Sequence, residues 1–313
     1  MTVDSAEVTP EKPLESSKAG RFIASVQNSN TRRSYAVSLG LFFRHILQVP
    51  ADKDPSIDEL CDQYFGFQRD YGKDLEEFVS WMVGQDYAPG SISVRRKVVQ
   101  AFFSYSDISL TDGTKYRLRH MMPKVVARTL NEVPTMEMLA RVLPILTLEA
   151  RTFFLMMIST GGRMFEIFNL AEGDINLHVT PPVVYFKVTK GGAPRYSFLN
   201  HEASASLATW LQGSAGHGDR LWLSSRERLE DAWGDGLAVC GLDKRDPQTH
   251  RLIFHPHTLR KYFRTHLREG LDRDYIEALM GHKKEMDSIY AVYVPDQLGR
   301  LYAKAESYLY VLS

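Results

Sequence analysis

The stretch FHPHTLRKYFRTHLREG, residues 254–270, combines an apolar helical pattern with three histidines, three arginines and a lysine. Leu259, Phe263 and Leu267 recur every four residues, a spacing that predicts a helix with one buried face. The basic side chains then lie along the flank of that helix. This element is therefore expected to join a hydrophobic core and to present cationic groups at its edge.

His257 and Arg260 are the two polar residues of this stretch that are best placed to act together. They lie three positions apart and so occupy neighbouring places on one flank. A guanidinium offers paired donors to an anion, and an imidazole titrates near neutral pH. The structural alternative is a histidine at a helix start beside a solvated arginine, and the stretch alone does not decide between the two.

Overall charge and cysteine content limit the classes of protein. The chain has 313 residues, with 38 Lys and Arg against 38 Asp and Glu. There is no overall basic excess, so an anionic partner has to be met by a local patch. Cys61 and Cys240 are too few for a disulfide framework and lack metal-ligand spacing. No run of eighteen apolar residues and no apolar leader occurs, so a cytoplasmic protein without a membrane partner is expected.

The pattern changes along the chain and predicts two domains. Residues 1–18 are rich in Glu, Ser, Pro and Thr and are expected to form a disordered tail. Residues 19–110 predict a helical bundle, residues 111–133 a basic linker, and residues 134–313 the catalytic domain with a C-terminal helix. The predicted fold class is therefore mainly α, with a second domain that is mixed α/β, mostly α with a small β-hairpin or sheet.

Three segments of the predicted bundle repeat apolar residues at intervals of three and four. Asn30 or Thr31 is expected to cap the first of them. The apolar positions are Tyr35, Leu39, Phe42, Phe43 and Ile46, then Leu75, Phe78, Val79 and Met82, then Val94, Val98, Phe102 and Tyr105. The basic residues that stand apart from these faces are Arg32, Arg33, Arg95, Arg96 and Lys97, with Lys124 in the linker. We interpret them as contacts to a polyanion, and a solvated surface is the alternative.

The second half reads as a buried helix, a hairpin and further helices. TLEARTFFLMMIST, residues 147–160, is apolar almost throughout, and Gly161 and Gly162 are expected to end it. PVVYFKVTKGGAPRYSFLN, residues 182–200, predicts two strands around a Gly-Gly-Ala-Pro turn, with Lys190 where the first strand ends.

Residue types that can bind a phosphate, transfer a proton or act as a nucleophile follow one another along this half. They are Arg163, Lys190, His257 with Arg260, His282, and a tyrosine eight residues later. TGGRMFEIFNL, VTKGGAPR, HTLRKYFRTHL and LMGHKKEMDSIY resemble the first arginine box, lysine hairpin, His-x-x-Arg box and Gly-His box of the tyrosine recombinase (phage integrase) family. TRRSYAVSLGLFFRHIL is similar to the start of that family's core-binding domain. The resemblance runs from about Arg21 to the C-terminus and is greatest to the archaeal-type integrases.

The nucleophile departs from the pattern of many members, in which the tyrosine lies nine residues after the Gly-His histidine. Here that position is Ala291. Tyr290, one residue earlier, resembles the archaeal-type variant and is the predicted nucleophile, with Tyr293 as the alternative.

The resemblance implies a site-specific DNA recombinase that cleaves and rejoins DNA through a covalent 3′-phosphotyrosyl intermediate, without metal, ATP or another cofactor. The implied roles are phosphate binding by Arg163, Arg260 and His282, proton handling by His257, protonation of the leaving 5′-oxygen by Lys190, and attack by Tyr290.

The implied partners are double-stranded DNA, further copies in a homotetramer on paired sites, and accessory DNA-bending factors, with a nucleoid-associated location. Two other functions are weighed against this one, namely a catalytically silent DNA-binding protein on the same scaffold and a type IB topoisomerase. Mobile-element integration and chromosome dimer resolution are both compatible with the sequence.

Overall fold

The computed structural model describes residues 17–124, 132–187, 189, 194–213, 220–247, 250–281 and 295–312. The chain divides into two compact units, Met1–Val126 and Ala127–Ser313. Each unit has its own hydrophobic core. Of the predicted tail, the structure describes only Ser17 and Lys18, and there a helix begins, because the Ser17 hydroxyl caps it by accepting the backbone N–H of Gly20.

Helices are the only regular elements among the described residues of the first unit, as predicted. Its helices are α1 (Lys18–Ala24), α2 (Ser29–Ile46), α3 (Ile57–Phe65), α4 (Tyr71–Gly84), α5 (Pro89–Tyr105) and α6 (Asp112–Met121). The prediction that Asn30 or Thr31 caps α2 is wrong. Asn28 is the cap, and its side chain accepts the backbone N–H of Thr31 at 3.1 Å.

Aromatic side chains fill the first core, where Phe42, Phe78 and Phe102 are fully buried. The apolar faces predicted for α2 and α4 are confirmed for most of their positions. The face predicted for α5 is partly wrong, because Val94 and Tyr105 are 50% and 47% exposed. α5 packs against α1, α2 and α4, so its buried stripe is shifted towards other residues of the helix, namely Ile92, Val98, Val99, Phe102 and Phe103.

α6 occupies part of the segment that was predicted to be a linker. Thr111 caps it, and Leu118 is fully buried in the first core. The sequence pattern did not indicate this helix because its surface is almost entirely polar, and Leu118 is its one fully buried apolar side chain. The first part of the expected linker therefore belongs to the helical unit.

The second unit combines helices with a small sheet, and the predicted fold class is confirmed. Its helices are α7 (Met136–Val142), α8 (Leu148–Thr160), α9 (Met164–Phe168), α10 (His201–Gly213), α11 (Arg226–Val239), α12 (His257–His266), α13 (Arg273–Met280) and α14 (Pro295–Ala305). Single 3₁₀ turns are formed by Leu143–Ile145, Glu172–Asp174, Leu267–Glu269 and Glu306–Leu309.

The sheet has three antiparallel strands in the order β1 (Ile175–Asn176), β2 (Val183–Phe186) and β3 (Arg195–Phe198). Val183 pairs with Phe198 and Phe186 pairs with Arg195, so β2 and β3 form the predicted hairpin. The hydroxyl of Ser197 on β3 donates to the carbonyl oxygen of Thr160 at 3.0 Å, which ties the hairpin to the last residue of α8.

α8 lies at the centre of the second core and is buried along nearly its whole length, as its apolar sequence predicted. α10 and α12 pack against it. The C-terminal segment covers the same core, because Tyr302 is fully buried and its hydroxyl donates to the carbonyl oxygen of Ser159 at 2.8 Å. Glu202 on α10 accepts the backbone N–H groups of Val311 and Leu312. The C-terminal segment thus packs on its own domain.

Candidate active site

Arg163 is positioned by the break between α8 and α9. Gly161 ends α8 in the left-handed conformation, at φ 61°, and a Cβ there would lie 2.5 Å from a ring carbon of Phe263 on α12. Only glycine fits this close approach. The chain then turns at Gly162, and Arg163 becomes the N-cap residue of α9.

Glu166 holds Arg163 in place. Its carboxylate accepts from the Arg163 guanidinium at 2.7 Å and from the Arg163 backbone N–H at 2.9 Å. Arg163 and Glu166, one helical turn apart, thus form an ion pair. The Arg163 side chain remains 28% exposed, whereas that of Glu166 is fully buried. The pair is compatible with anion binding, because the Arg163 side chain is still partly exposed to solvent.

Arg260 is buried, with 3% of its surface exposed, although its helix position predicted a place on the flank. Its guanidinium donates to the carbonyl oxygens of Gly161 and Met280, which end α8 and α13. Burial, followed by the charges of Arg163 and Arg195, lowers the pKa of Arg260 to about 9. The side chain therefore stays cationic at neutral pH, with the negative ends of two helices directed at it.

His257 is the first residue of α12 and is exposed to solvent on one side. Partial burial of the ring lowers its pKa below the ordinary 6.5, and the charge of Arg260 lowers it further. His255 and Arg163 add to this effect. The imidazole is therefore mainly neutral at pH 7, the form that can accept a proton.

Arg163, His257 and Arg260 are brought together by the fold. Arg163 lies close enough to both other residues for its charge to lower their pKa values. The three come from the start of α9 and from one turn of α12. Arg163 and His257 are at least partly exposed and Arg260 is buried, so the cluster offers cationic donors and a proton acceptor to an anion at the surface, with a further positive charge close by.

Arg195 belongs to this cluster and was given no role by the sequence analysis. Its guanidinium donates to Glu166 at 2.7 Å and to the carbonyl oxygen of Leu279. It also lies over the ring of Phe186, 4.0 Å from the ring centroid. The only sequence signal was a charged residue at the start of a strand next to a glycine turn, which is normally a surface feature.

Lys190, His282, Tyr290 and Tyr293 lie outside the described residues, so their roles stay predictions. Within residues 17–124, 132–187, 189, 194–213, 220–247, 250–281 and 295–312, no group of His, Cys, Asp or Glu is arranged to hold a metal ion. Among the helices in the same ranges, none is both long and apolar enough to cross a membrane.

The cations that were predicted to bind DNA are all described, and they lie in the first unit. The exposed ones are Arg32, Arg33, Lys97 and Lys124. Arg95 stacks on the ring of Tyr87, 4.7 Å from its centroid, and Arg96 donates to Gln100 at 2.9 Å. Partial burial and the charge of Arg119 on α6 lower the pKa of Arg96. α6 therefore brings a further cation close to the basic residues Arg95, Arg96 and Lys97 of α5.

Comparison with known proteins agrees with this fold. The model of the phage integrase family matches residues 130–294, which is more than half of the chain. The arginine, histidine and helical framework described above lies within the matched region. The chain therefore belongs to the phage integrase family. It is a site-specific recombinase of the tyrosine type.

The chain is similar to particular tyrosine recombinases. The tyrosine recombinase XerA of Thermococcus kodakarensis is 24% identical over 264 residues, which cover 81% of this chain and 90% of the relative. That of Pyrococcus furiosus is also 24% identical, over 67% of this chain and 72% of the relative. A lambda integrase dimer bound to a COC′ core site has a TM-score of 0.63 and 13% identity over 88% of this chain and 98% of that chain, which shows that the fold is shared.

Proposed function

We propose that this chain cleaves a phosphodiester of double-stranded DNA with Tyr290 and keeps the cleaved strand attached through a 3′-phosphotyrosyl ester. The observation that supports this most is the convergence of Arg163, Arg260 and His257 into one electrostatic cluster, although the arginines are distant along the chain. The lambda integrase structure of the same fold was solved on DNA.

Each residue is assigned one part of the reaction. Attack of the tyrosine oxygen on phosphorus builds negative charge on the non-bridging oxygens, which Arg163 and Arg260 stabilise. The P–O5′ bond breaks as the new P–O bond forms. His257, which is mainly neutral, accepts the proton of the phenol, and Lys190 gives a proton to the departing 5′-oxygen. His282 donates a hydrogen bond to the phosphate.

Reversal of the same step by another 5′-hydroxyl joins new strands. The ester conserves the energy of the broken bond, so no nucleotide is consumed. Strand exchange between two duplexes requires several active sites, and a homotetramer on paired sites is the assembly that we propose. Accessory DNA-bending factors and association with the nucleoid belong to the same proposal.

A nicked suicide substrate tests the proposal. The protein is incubated with DNA fragments of its host, nicked near the scissile position, and covalent adducts are resolved on denaturing gels. The wild-type chain should form an adduct and Tyr290→Phe should form none, while Tyr293→Phe should react as wild type. Loss of the adduct in Tyr293→Phe but not in Tyr290→Phe would reassign the nucleophile. DNA binding without any adduct would favour the catalytically silent protein, and relaxation of supercoils without site preference would favour the topoisomerase.

A further inference from the structure

Arg195 occupies a position where a buried guanidinium joins three separate elements. Its side chain is 7% exposed and lies at the start of β3. It donates to Glu166 on α9 and to the carbonyl oxygen of Leu279 near the end of α13, and it packs on Phe186 of β2. These partners use two different nitrogens and one face of the same planar group.

Glu166 connects this guanidinium to Arg163. One oxygen of the carboxylate accepts from Arg163, and the other accepts from Arg195, each at 2.7 Å. Burial alone would raise the pKa of Glu166, but the charge of Arg195 and the hydrogen bonds from Arg163 bring it below the ordinary value. The carboxylate is therefore ionised at neutral pH. Because Arg195 fixes the Glu166 carboxylate, and this carboxylate binds Arg163, the orientation of the Arg163 guanidinium depends on Arg195.

The contact with α13 has a second consequence. Gly281 follows α13 in the left-handed conformation, at φ 70°, and a Cβ there would lie 2.5 Å from the Cδ of Arg195. The Arg195 side chain thus fills the space beside the glycine and bonds to Leu279 two residues before it. The next residue along the chain is His282, so Arg195 borders the point where the chain enters the segment of the predicted nucleophile.

We infer that Arg195 is a positioning residue for strand cleavage, which orients Arg163 through Glu166 and sets the exit of the chain from α13. This inference rests on the proposed function. A lysine cannot replace the arginine, because a single ammonium lacks the planar donors that reach Glu166 and Leu279 together while stacking on Phe186. A purely structural ion pair would instead act through stability alone, and such buried pairs often contribute little.

The test compares Arg195→Met and Arg195→Lys with wild type on a nicked substrate that the wild-type chain cleaves. Single-turnover cleavage is measured with protein in excess over DNA, the dissociation constant by titration, and the folded fraction by thermal unfolding. Arg141→Met is the matched control, because Arg141 also donates to a carbonyl at the end of a helix, that of Cys240 at 2.7 Å, away from the cluster.

The cleavage rate constant of folded Arg195→Met should fall about 100-fold, the loss that a misplacement of about 1 Å causes. Its dissociation constant should stay within about threefold of wild type, because the Arg195 side chain is 7% exposed and offers little surface for a direct contact with DNA. Arg195→Lys should lose about tenfold, since it keeps the charge but not both donors. If Arg195→Met does not fold, Arg195→Lys decides the question alone.

A double-mutant cycle separates positioning from stability. Glu166→Gln should slow cleavage, and adding Arg195→Met to it should slow cleavage by less than Arg195→Met slows the wild-type chain, because the Glu166 link is already broken and only the contacts to α13 are left to lose. Fully additive losses, or a wild-type rate in folded Arg195→Lys, would overturn the inference while leaving Tyr290 as the nucleophile. If the wild-type chain forms no adduct that depends on Tyr290, the proposed function itself fails and this inference fails with it.

Discussion

At the scale of single residues, Arg260 shows how the fold accommodates a buried charge next to the proposed anion site. Its guanidinium donates hydrogen bonds to the carbonyl oxygens of Gly161 and Met280 at the ends of two helices. Those helix ends carry partial negative charge, which offsets part of the cost of taking the cation out of water. The positive charge that is not offset adds to that of Arg163, whose side chain is partly exposed to solvent.

Arg260→Lys tests the need for paired donors. An ammonium can keep the charge but cannot serve both carbonyl oxygens and a phosphate, so the single-turnover cleavage rate should fall by about 100-fold or more. Arg141→Lys, which alters a comparable arginine–carbonyl bond at the end of α11, should cleave at the wild-type rate. Equal rates for Arg260→Lys and wild type would mean that charge alone suffices at this position.

The pKa of His257 gives a prediction that needs no DNA. Partial burial and the charges of Arg260, His255 and Arg163 place this pKa below 6.5. A depressed histidine pKa stabilises the fold above pH 6.5, and that stabilisation is lost as the pH falls through the lowered value. In Arg163→Met, the pKa of His257 should rise towards 6.5, as followed by NMR titration of its ring.

The control for this titration is Arg141→Met, which should leave the His257 pKa where it is in wild type. The acid limb of the cleavage rate should follow the same group. An unchanged or lower His257 pKa in Arg163→Met would show that Arg163 does not share the site.

At the scale of elements, two glycines end helices at the cluster and make close packing there possible. Gly161 admits the ring of Phe263 beside α8, and Gly281 admits Arg195 beside α13. Both have positive φ, which an L residue adopts at a cost of about 1 kcal/mol. The helix ends are thus shaped by side chains that pack against them from other elements.

Gly281→Ala should lower the free energy of unfolding by about 2–4 kcal/mol, because the new Cβ combines backbone strain with a clash against Arg195. Gly241→Ala is the matched control, since Gly241 has φ 68° and open space at its Cβ position. Its loss should be about 1 kcal/mol, from strain alone. Denaturant unfolding measures both, and equal losses would show that the Arg195 contact does not constrain Gly281.

The helices also show where the spacing of apolar residues predicted the buried face and where it did not. α2 and α4 present one dominant face to the core, so the spacing of their apolar residues predicted burial well. α5 is packed by several helices, which moved its buried stripe away from Val94 and Tyr105. α6 buries little apart from Leu118, and a helix with so small an apolar face leaves almost no periodic signal.

At the scale of the whole molecule, the chain balances 38 basic against 38 acidic residues and still has exposed cations to offer to DNA. Many acids of the first unit already have partners. Glu76 pairs with Arg117 on α6, and Glu59 caps α3 through Ser56. Lys97 on α5 is exposed and has no acidic partner among residues 17–124, and we propose that such cations form a positive surface for DNA.

DNA affinity should therefore fall steeply with salt, with a slope of about 0.9 per phosphate contact in a plot of log affinity against log salt concentration. Lys97→Gln should reduce that slope by about one contact. Lys73→Gln is the control, because Lys73 pairs with Asp70 on the same unit and should leave the slope unchanged. Affinity that does not depend on salt would count against this surface as the DNA contact.

The sequence by itself determined the helical class, the hairpin, the buried α8 and the order of boxes that places the chain in its family, because periodicity and motif spacing are local properties of the chain. Only the tertiary structure decided that Arg260 is buried between two helix ends, that Glu166 links Arg163 to Arg195, and that α6 joins the first core. Those contacts join residues far apart in the chain. Their energies depend on the burial of the side chains and on the orientation of the hydrogen-bonding groups, and both are set only once the elements have packed.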